Sequence, residues 1–236
     1  VKSFSYSSFA CLKGKGRHNA CLYVQEMMKH CKRIWNNYYV IKMDVTKYFQ
    51  NIDKQILYEI LCRKIKDKNL LWLTREILYS NGIDKGLPIG NYTSQCFANI
   101  YLNELDQYMK HKLKLKYTCR YMDDVVALVN TKEEAIEKLD LIRSFLKDKL
   151  CLELNRKTQI FKSTQGVNFC GYKINEYRLK IRDKGKRKLK KKVQYLMGQV
   201  KLGKMSSKEA QKYLTGHLGY IKIANVHTLT NKLFYS

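Results

Sequence analysis

The chain has 236 residues, of which 45% are hydrophobic, enough to bury a real core in one large domain or two small ones and too many for a disordered tail. No apolar run of about 18 residues occurs, so no membrane-spanning helix is expected. Lys and Arg number 46 against 20 acidic residues, and a net charge of +26 points to a polyanionic partner, with nucleic acid first. The eight cysteines lie scattered with no CxxC pair, and the five histidines add no ligand spacing, which argues against zinc and against a disulfide framework. Several sit in apolar runs, where a free thiol behaves as a small hydrophobe, and a reducing, cytoplasmic setting fits. No signal peptide is visible, and the opening residue, Val1, is not Met, so a fragment is expected.

In chain order, Tyr38 to Met43 reads as a buried strand ending at Asp44. Asp53 is an N-cap for a helix to about Lys66, and a second helix covers Leu70 to Ser80. Asn81 to Asn91 carries Gly82, Gly86, Pro88 and Gly90 and reads as a loop. From Thr93, Phe97, Ile100, Tyr101, Leu105, Tyr108 and Met109 recur at helical spacing. Tyr117 to Tyr121 and Val125 to Val129 flank Met122-Asp123-Asp124, a hairpin signature with acids at the turn. Ala135, Leu139, Ile142 and Leu146 mark another helix, and strands follow at Gln159 to Lys162 and Val167 to Ile174. Ten of the fifteen residues from Arg178 to Lys192 are basic, so a boundary is expected near Asn175. The expected architecture is an α+β core at residues 1–175 followed by a basic helical region at 176–236.

Asp44, Asp123 and Asp124 carry the chemical signal. If the strands they terminate are neighbours in one antiparallel sheet, three carboxylates converge at one edge. Such a cluster is unfavourable unless a cation sits among them. Mg²⁺ is held by carboxylates together with substrate phosphates and water. Two such ions about 4 Å apart serve phosphoryl transfer, activating a hydroxyl and steadying a leaving oxygen. An Asp-Asp pair taken alone reads as an ordinary polar turn.

The neighbours of that pair decide its reading. Tyr121-Met122-Asp123-Asp124 between two β-runs resembles the YMDD box in the palm of reverse transcriptases. Ile41-Lys42-Met43-Asp44-Val45-Thr46-Lys47-Tyr48-Phe49 resembles the family's first catalytic-aspartate motif, and Leu87 to Gln95 the following substrate-pocket motif. Leu154-Asn155-Arg156-Lys157-Thr158 and Gly166 to Tyr172 resemble the two motifs beyond the hairpin. Family members usually carry LPQG followed by Ser-Pro; here Ile89 stands for that Gln and Gln95 for that Pro. The pattern Ile-Gly-Asn-x-x-Ser-Gln is similar to reverse transcriptases of diversity-generating retroelements, as are Ser8 to Gly16 and Tyr213 to Tyr220. The resemblance implies a right-hand polymerase: partial fingers and palm at 1–175, a helical thumb at 176–236. It implies RNA-directed synthesis of cDNA from a template RNA and dNTPs with two Mg²⁺ ions, Mn²⁺ being a substitute, and with errors concentrated at template adenines. It further implies a primer strand, a small helical accessory protein, no membrane, and a bacterial or phage origin.

Site residues follow from the same resemblance. Asp44 and Asp123 would ligate metal, with Asp124 in support and the Val45 carbonyl as a further oxygen. Phe49 matches the steric gate that rejects a 2′-OH by clash, against a plain reading as a core Phe beside Tyr48. Lys157 matches the lysine that protonates leaving pyrophosphate. Ile89, Gly90 and Asn91 would face the nascent base pair, and Gln95 either joins them or starts a helix. A pocket lacking a polar grip discriminates by only about 1–3 kcal/mol, so relaxed fidelity is physically plausible. Phe169, Cys170, Gly171 and Tyr172 match the primer grip, against a plain reading as a β-hairpin, and both can hold. Arg182, Lys186, Arg187, Lys190 and Lys191 would contact duplex phosphates, and Lys13, Lys15 and Arg17 the template. Finger strands of the family would precede Val1, which puts unaided activity in question. Two other readings stand: a retron, intron-type or phage-defence reverse transcriptase, and a non-catalytic RNA-binding scaffold on a palm fold.

Overall fold

The computed structural model describes residues 4–80, 82–221 and 223–224. It divides into two compact units, Val1–Ser163 and Thr164–Ser236. The division therefore falls before the composition change near Asn175, because the strands ahead of that change pair with a strand inside the basic segment.

The first unit is built on a four-stranded antiparallel sheet with order β2-β3-β1-β4, formed by β1 (Tyr39–Asp44), β2 (Tyr117–Tyr121), β3 (Asp124–Val129) and β4 (Gln159–Lys162). β1 is hydrogen-bonded on both edges, and Val40, Ile41 and Met43 are fully buried, so its near-continuous apolar run suits a central strand. The alternation of a strand sends Ile41, Met43, Val125 and Ala127 into the main core and leaves Lys42, Asp44 and Asp124 on the other face.

α1 (Arg17–Trp35) packs on β2 and β3 through a stripe that includes Cys21, Val24 and Met28, outside that core cluster. The other helices of the unit fill the core. A single turn, α2 (Tyr48–Asn51), leads into α3 (Lys54–Lys64). Asp53 caps α3 by accepting from the Ile56 N–H at 3.0 Å, and Asp67 caps α4 (Lys68–Tyr79) from Leu70 at 2.8 Å. α5 (Tyr92–Gln107) and α6 (Lys132–Leu150) place Ala98, Tyr101, Leu105, Leu139, Ile142 and Leu146 in the same core. The described residues between α4 and α5 form no helix or strand, as the glycines indicate. Gly86 is needed there: its φ is +85°, and a Cβ would come within 2.9 Å of the Gln50 carbonyl. α5 ends in a π-helical turn, Tyr108–Lys112, where Leu113 reaches back to the Tyr108 carbonyl at 3.1 Å.

The second unit is a three-stranded antiparallel meander, β5 (Val167–Phe169), β6 (Tyr172–Ile174) and β7 (Leu179–Ile181), followed by α7 (Asp183–Lys201) and α8 (Ser207–Ile221). The run Val167 to Ile174 is thus a hairpin rather than one strand. β7 also corrects the expectation of an all-helical region after 175. Leu179 and Ile181 are buried around exposed Lys180, a period of two that the basic composition concealed. Leu189, Val193 and Leu196 form the buried stripe of α7 and turn its lysines outward. Among the described residues no helix is long and apolar enough to cross a membrane. The eight cysteines are free.

Candidate functional site: a carboxylate turn at the end of the sheet

The register of β1 and β3 sets Asp44 directly opposite Asp124. Tyr121 pairs with Asp124 across β2 and β3, which leaves Met122 and Asp123 as a two-residue turn. Met122 has φ +56° while Asp123 does not enter that region, the pattern of a II′ turn in which glycine is the usual first residue. A methionine there stores strain on the order of 1–3 kcal/mol. The three aspartates therefore share one end of the sheet. Burial pushes the Asp123 carboxyl above the ordinary aspartate range; its own backbone N–H opposes this, Asp44 adds to it, and Lys42 and Arg120 oppose it.

Beneath the turn lies a polar network that the sequence did not announce. Arg120 and Asp106 are each about 1% exposed as side chains, and the guanidinium grips the carboxylate through Nε at 2.9 Å to both oxygens and through Nη2 at 2.7 Å. The same guanidinium donates to Asn99 Oδ1 at 3.1 Å and to the Met122 carbonyl at 3.1 Å. Burial alone would lower the Arg120 pKa, but the Asp106 charge and hydrogen bonds hold it above its ordinary value. Asn99 in turn donates to the Ala10 carbonyl at 2.6 Å. Helix α5, the N-terminal loop and the aspartate turn are thus tied to one buried cation. The available signal was an Arg inside an otherwise apolar β-run, which demands a buried partner.

Asp124 forms an ion pair with Lys42, the residue two before Asp44 on β1. Among the described residues no three His, Cys, Asp or Glu side chains are gathered as a ready-made metal site. The register brings the three expected carboxylates to one end of the sheet, where the Lys42 ammonium offsets the charge of Asp124. The donors at the turn are nonetheless all hard oxygens, Asp44, Asp123 and the backbone at Val45, a set suited to Mg²⁺ or Mn²⁺ and unsuited to zinc.

Other expected residues sit as follows. Val45 is buried and bridges Leu154, and the Asp44 carbonyl accepts the Asn155 N–H at 2.7 Å. Asn155 Oδ1 then accepts the Lys157 N–H at 3.0 Å, so a tight turn anchored on Asp44 presents exposed Lys157. Phe49 is half-buried, edge-on to Tyr48 at 5.7 Å, and packs on the core while keeping part of its ring accessible. Ile89 is 77% exposed, Gly90 has φ +110° with open space where a Cβ would sit, and Asn91 is the exposed residue before α5. Gln95 lies in the first turn of α5, where its Oε1 accepts from Cys11 Sγ at 3.0 Å.

Lys15, expected at the template, makes contacts within the chain. Its ammonium donates to the carbonyls of Tyr6 and Ser8 and lies over the Tyr6 and Phe9 rings at 4.7 and 4.8 Å. It staples the N-terminal loop, while Lys13 and Arg17 stay exposed. In the second unit, Phe169 pairs with Tyr172 around Cys170 and Gly171, whose φ values of +48° and +90° make a I′ turn. Phe169 and Tyr172 are buried. Arg182, Arg187, Lys190 and Lys191 are exposed, and Lys186 is paired with Asp183 at 3.1 Å.

Known proteins share this chain's sequence pattern and fold. Residues 1–174 match the family model described as reverse transcriptase (RNA-dependent DNA polymerase). The retron Ec73 reverse transcriptase of Escherichia coli is 27% identical over 82% of this chain and 65% of its own length. The putative COX1/OXI3 intron 2 protein of Saccharomyces cerevisiae is 24% identical over 73% of this chain and 27% of its own length. The group II intron-encoded protein LtrA of Lactococcus lactis is 25% identical over 69% of this chain and 38% of its own length. The chain thus spans between about a quarter and two thirds of these relatives. In fold it is similar to telomerase from Candida albicans, with a TM-score of 0.60 at 12% identity over 83% of this chain and 39% of the other. With its motif order, palm-type sheet and family match over most of its length, the chain belongs to the reverse transcriptase (RNA-dependent DNA polymerase) family.

Proposed function

We propose that this chain is the core of an RNA-directed DNA polymerase that copies a template RNA into cDNA. The observation that carries the reading is the register placing Asp44 opposite Asp124, beside a two-residue turn holding Asp123. Asp44, Asp123 and the Val45 carbonyl, with Asp124 in support, would hold Mg²⁺, which would supply Lewis-acid chemistry for phosphoryl transfer from a dNTP to a primer 3′-oxygen with pyrophosphate as the leaving group. Arg120 fixes the turn so that the carboxylates need not reorganise. Lys157, on the turn tied to Asp44, donates the proton that pyrophosphate takes on leaving. Phe49 closes the floor against a ribose 2′-OH, and Ile89, Gly90 and Asn91 face the nascent pair. In the second unit the Phe169–Tyr172 turn serves the primer strand, and Arg182, Arg187, Lys190 and Lys191 serve duplex phosphates. No group in this set selects adenine.

Within that chemistry we assign the chain to the diversity-generating type, on the strength of Ile89, Asn91 and Gln95, with a small helical accessory protein as partner. The similarity to retron and intron proteins favours a second reading, a polymerase of that type with ordinary fidelity. Primer extension on a defined RNA with Mg²⁺ and four dNTPs, beside Asp123→Ala, separates them. Extension lost in the variant, with errors concentrated opposite template adenines, supports the first; accurate extension supports the second. Absence of extension even with the accessory protein, while RNA remains bound, would leave a scaffold.

A further inference from the structure

The first unit holds a second concave site, along the outer edge of β2 and away from the aspartates. Its cavity, about 390 Å³ and open to solvent, is lined by Lys110, Lys114 and Lys116, and no acidic side chain lines it. Among the described residues none of these three lysines is in an ion pair. Their convergence is built by unusual backbone: the π-helical turn Tyr108–Lys112 carries the first, and Lys114 has φ +55°. π-turns occur frequently at functional positions.

In the lining of the same cavity, Ser5, Ser7 and Thr118 bring three buried hydroxyls together. Ser5 Oγ and Ser7 Oγ are 2.8 Å apart, and Thr118 Oγ1 donates to Ser7 Oγ at 3.3 Å. Two bonds use two of three hydroxyl protons, so one remains to donate to an oxygen in the cavity. The Tyr6 ring on the rim is 75% exposed; Lys15 lies over it and Tyr23 meets it edge-on. A positive floor, a hydroxyl donor and an exposed aromatic ring together match a nucleotide: phosphate on ammonium groups, ribose on hydroxyl, base on ring.

We propose that this pocket is a subsite for one nucleotide of single-stranded RNA, gripping the template strand outside the carboxylate turn. The inference rests on the polymerase reading for the identity of its strand. Thr118 lies three residues before the end of β2, ~10 Å along the strand, so one bound RNA can span both places.

The test uses the full chain with two probes: a primer–template duplex with a one-nucleotide overhang, and the same duplex with a twelve-nucleotide single-stranded RNA overhang. The variants are Tyr6→Ala and the triple Lys110→Gln, Lys114→Asn, Lys116→Gln, with Asn chosen because it tolerates positive φ. The long overhang is expected to bind each variant several-fold to about tenfold more weakly, with a shallower salt dependence for the triple variant and no change for the short probe. Equal binding of the long overhang by wild type and both variants overturns the proposal. So does a triple variant that loses inorganic pyrophosphate binding while keeping the long overhang, since the pocket would then be a free-anion site. Primer extension on the short probe reports the polymerase reading separately, because that probe does not reach the pocket.

Discussion

Arg120 and Met122 are joined by a 3.1 Å hydrogen bond from a buried guanidinium to the carbonyl at the apex of the aspartate turn. The guanidinium is itself held by Asp106, so the turn rests on an ion pair about 1% exposed on both sides. Removing one member of a buried pair leaves the other uncompensated, which is more costly than the pair is stabilising.

Asp106→Asn is therefore expected to destabilise the fold by about 3–5 kcal/mol, read as a lower urea midpoint at unchanged slope. Arg120→Lys keeps the charge but loses the fork, and is expected to cost about 2 kcal/mol while slowing extension in protein that remains folded. If Arg120→Lys is as stable and active as wild type, the guanidinium does not position the turn.

Met122→Gly relieves a backbone conformation at φ +56° that a side chain disfavours. The variant is expected to gain up to about 1 kcal/mol in thermal or urea unfolding. Extension should slow at the same time, because a freer turn holds Asp123 less firmly. A loss of stability would show that the methionine side chain contributes more than its backbone costs.

Lys42 is paired with Asp124, so on the proposed metal reading its ammonium would compete with a divalent cation at the turn. Lys42→Met is expected to tighten Mg²⁺ or Mn²⁺ binding several-fold, seen as a larger rise in melting temperature on adding the ion. Asp44→Asn in the same assay should abolish that rise. An unchanged response in Lys42→Met would mean that the ammonium does not compete.

Burial pushes the Cys31 thiol from 9.0 up to about 12, and also raises Cys119, Tyr48 and Tyr101. A raised folded-state pKa means that the unfolded chain releases its proton first. The stability held by the protonated thiol is complete below pH 9.0 and is lost as pH climbs toward 12. Urea midpoints should therefore be flat through neutrality and fall above about pH 9, each such thiol contributing ~1.4 kcal/mol per pH unit. Cys31 should also resist iodoacetamide at pH 8 while exposed Cys151 reacts, as peptide mass mapping would show.

Local signals in the chain settled local structure. Asp53 marks a helix start because a short side-chain oxygen satisfies free N–H groups wherever a helix begins, and that chemistry needs only neighbours three residues on. The β2–β3 hairpin is equally legible, since two β-runs joined by two residues must pair with each other. The family resemblance rests on the same short-range motifs. What sequence did not decide is which strand lies beside which: Asp44 and Asp124 are eighty residues apart and meet only because β1 inserts between β3 and β4. It also left the partners of Lys15 and Lys42 unassigned among 46 basic residues, and indicated for Arg120 only that a buried partner must exist. Their partners, the Tyr6 and Ser8 carbonyls, Asp124 and Asp106, are chosen by burial and packing, and a charge far from its partner in sequence acquires one only when the tertiary fold excludes water around both.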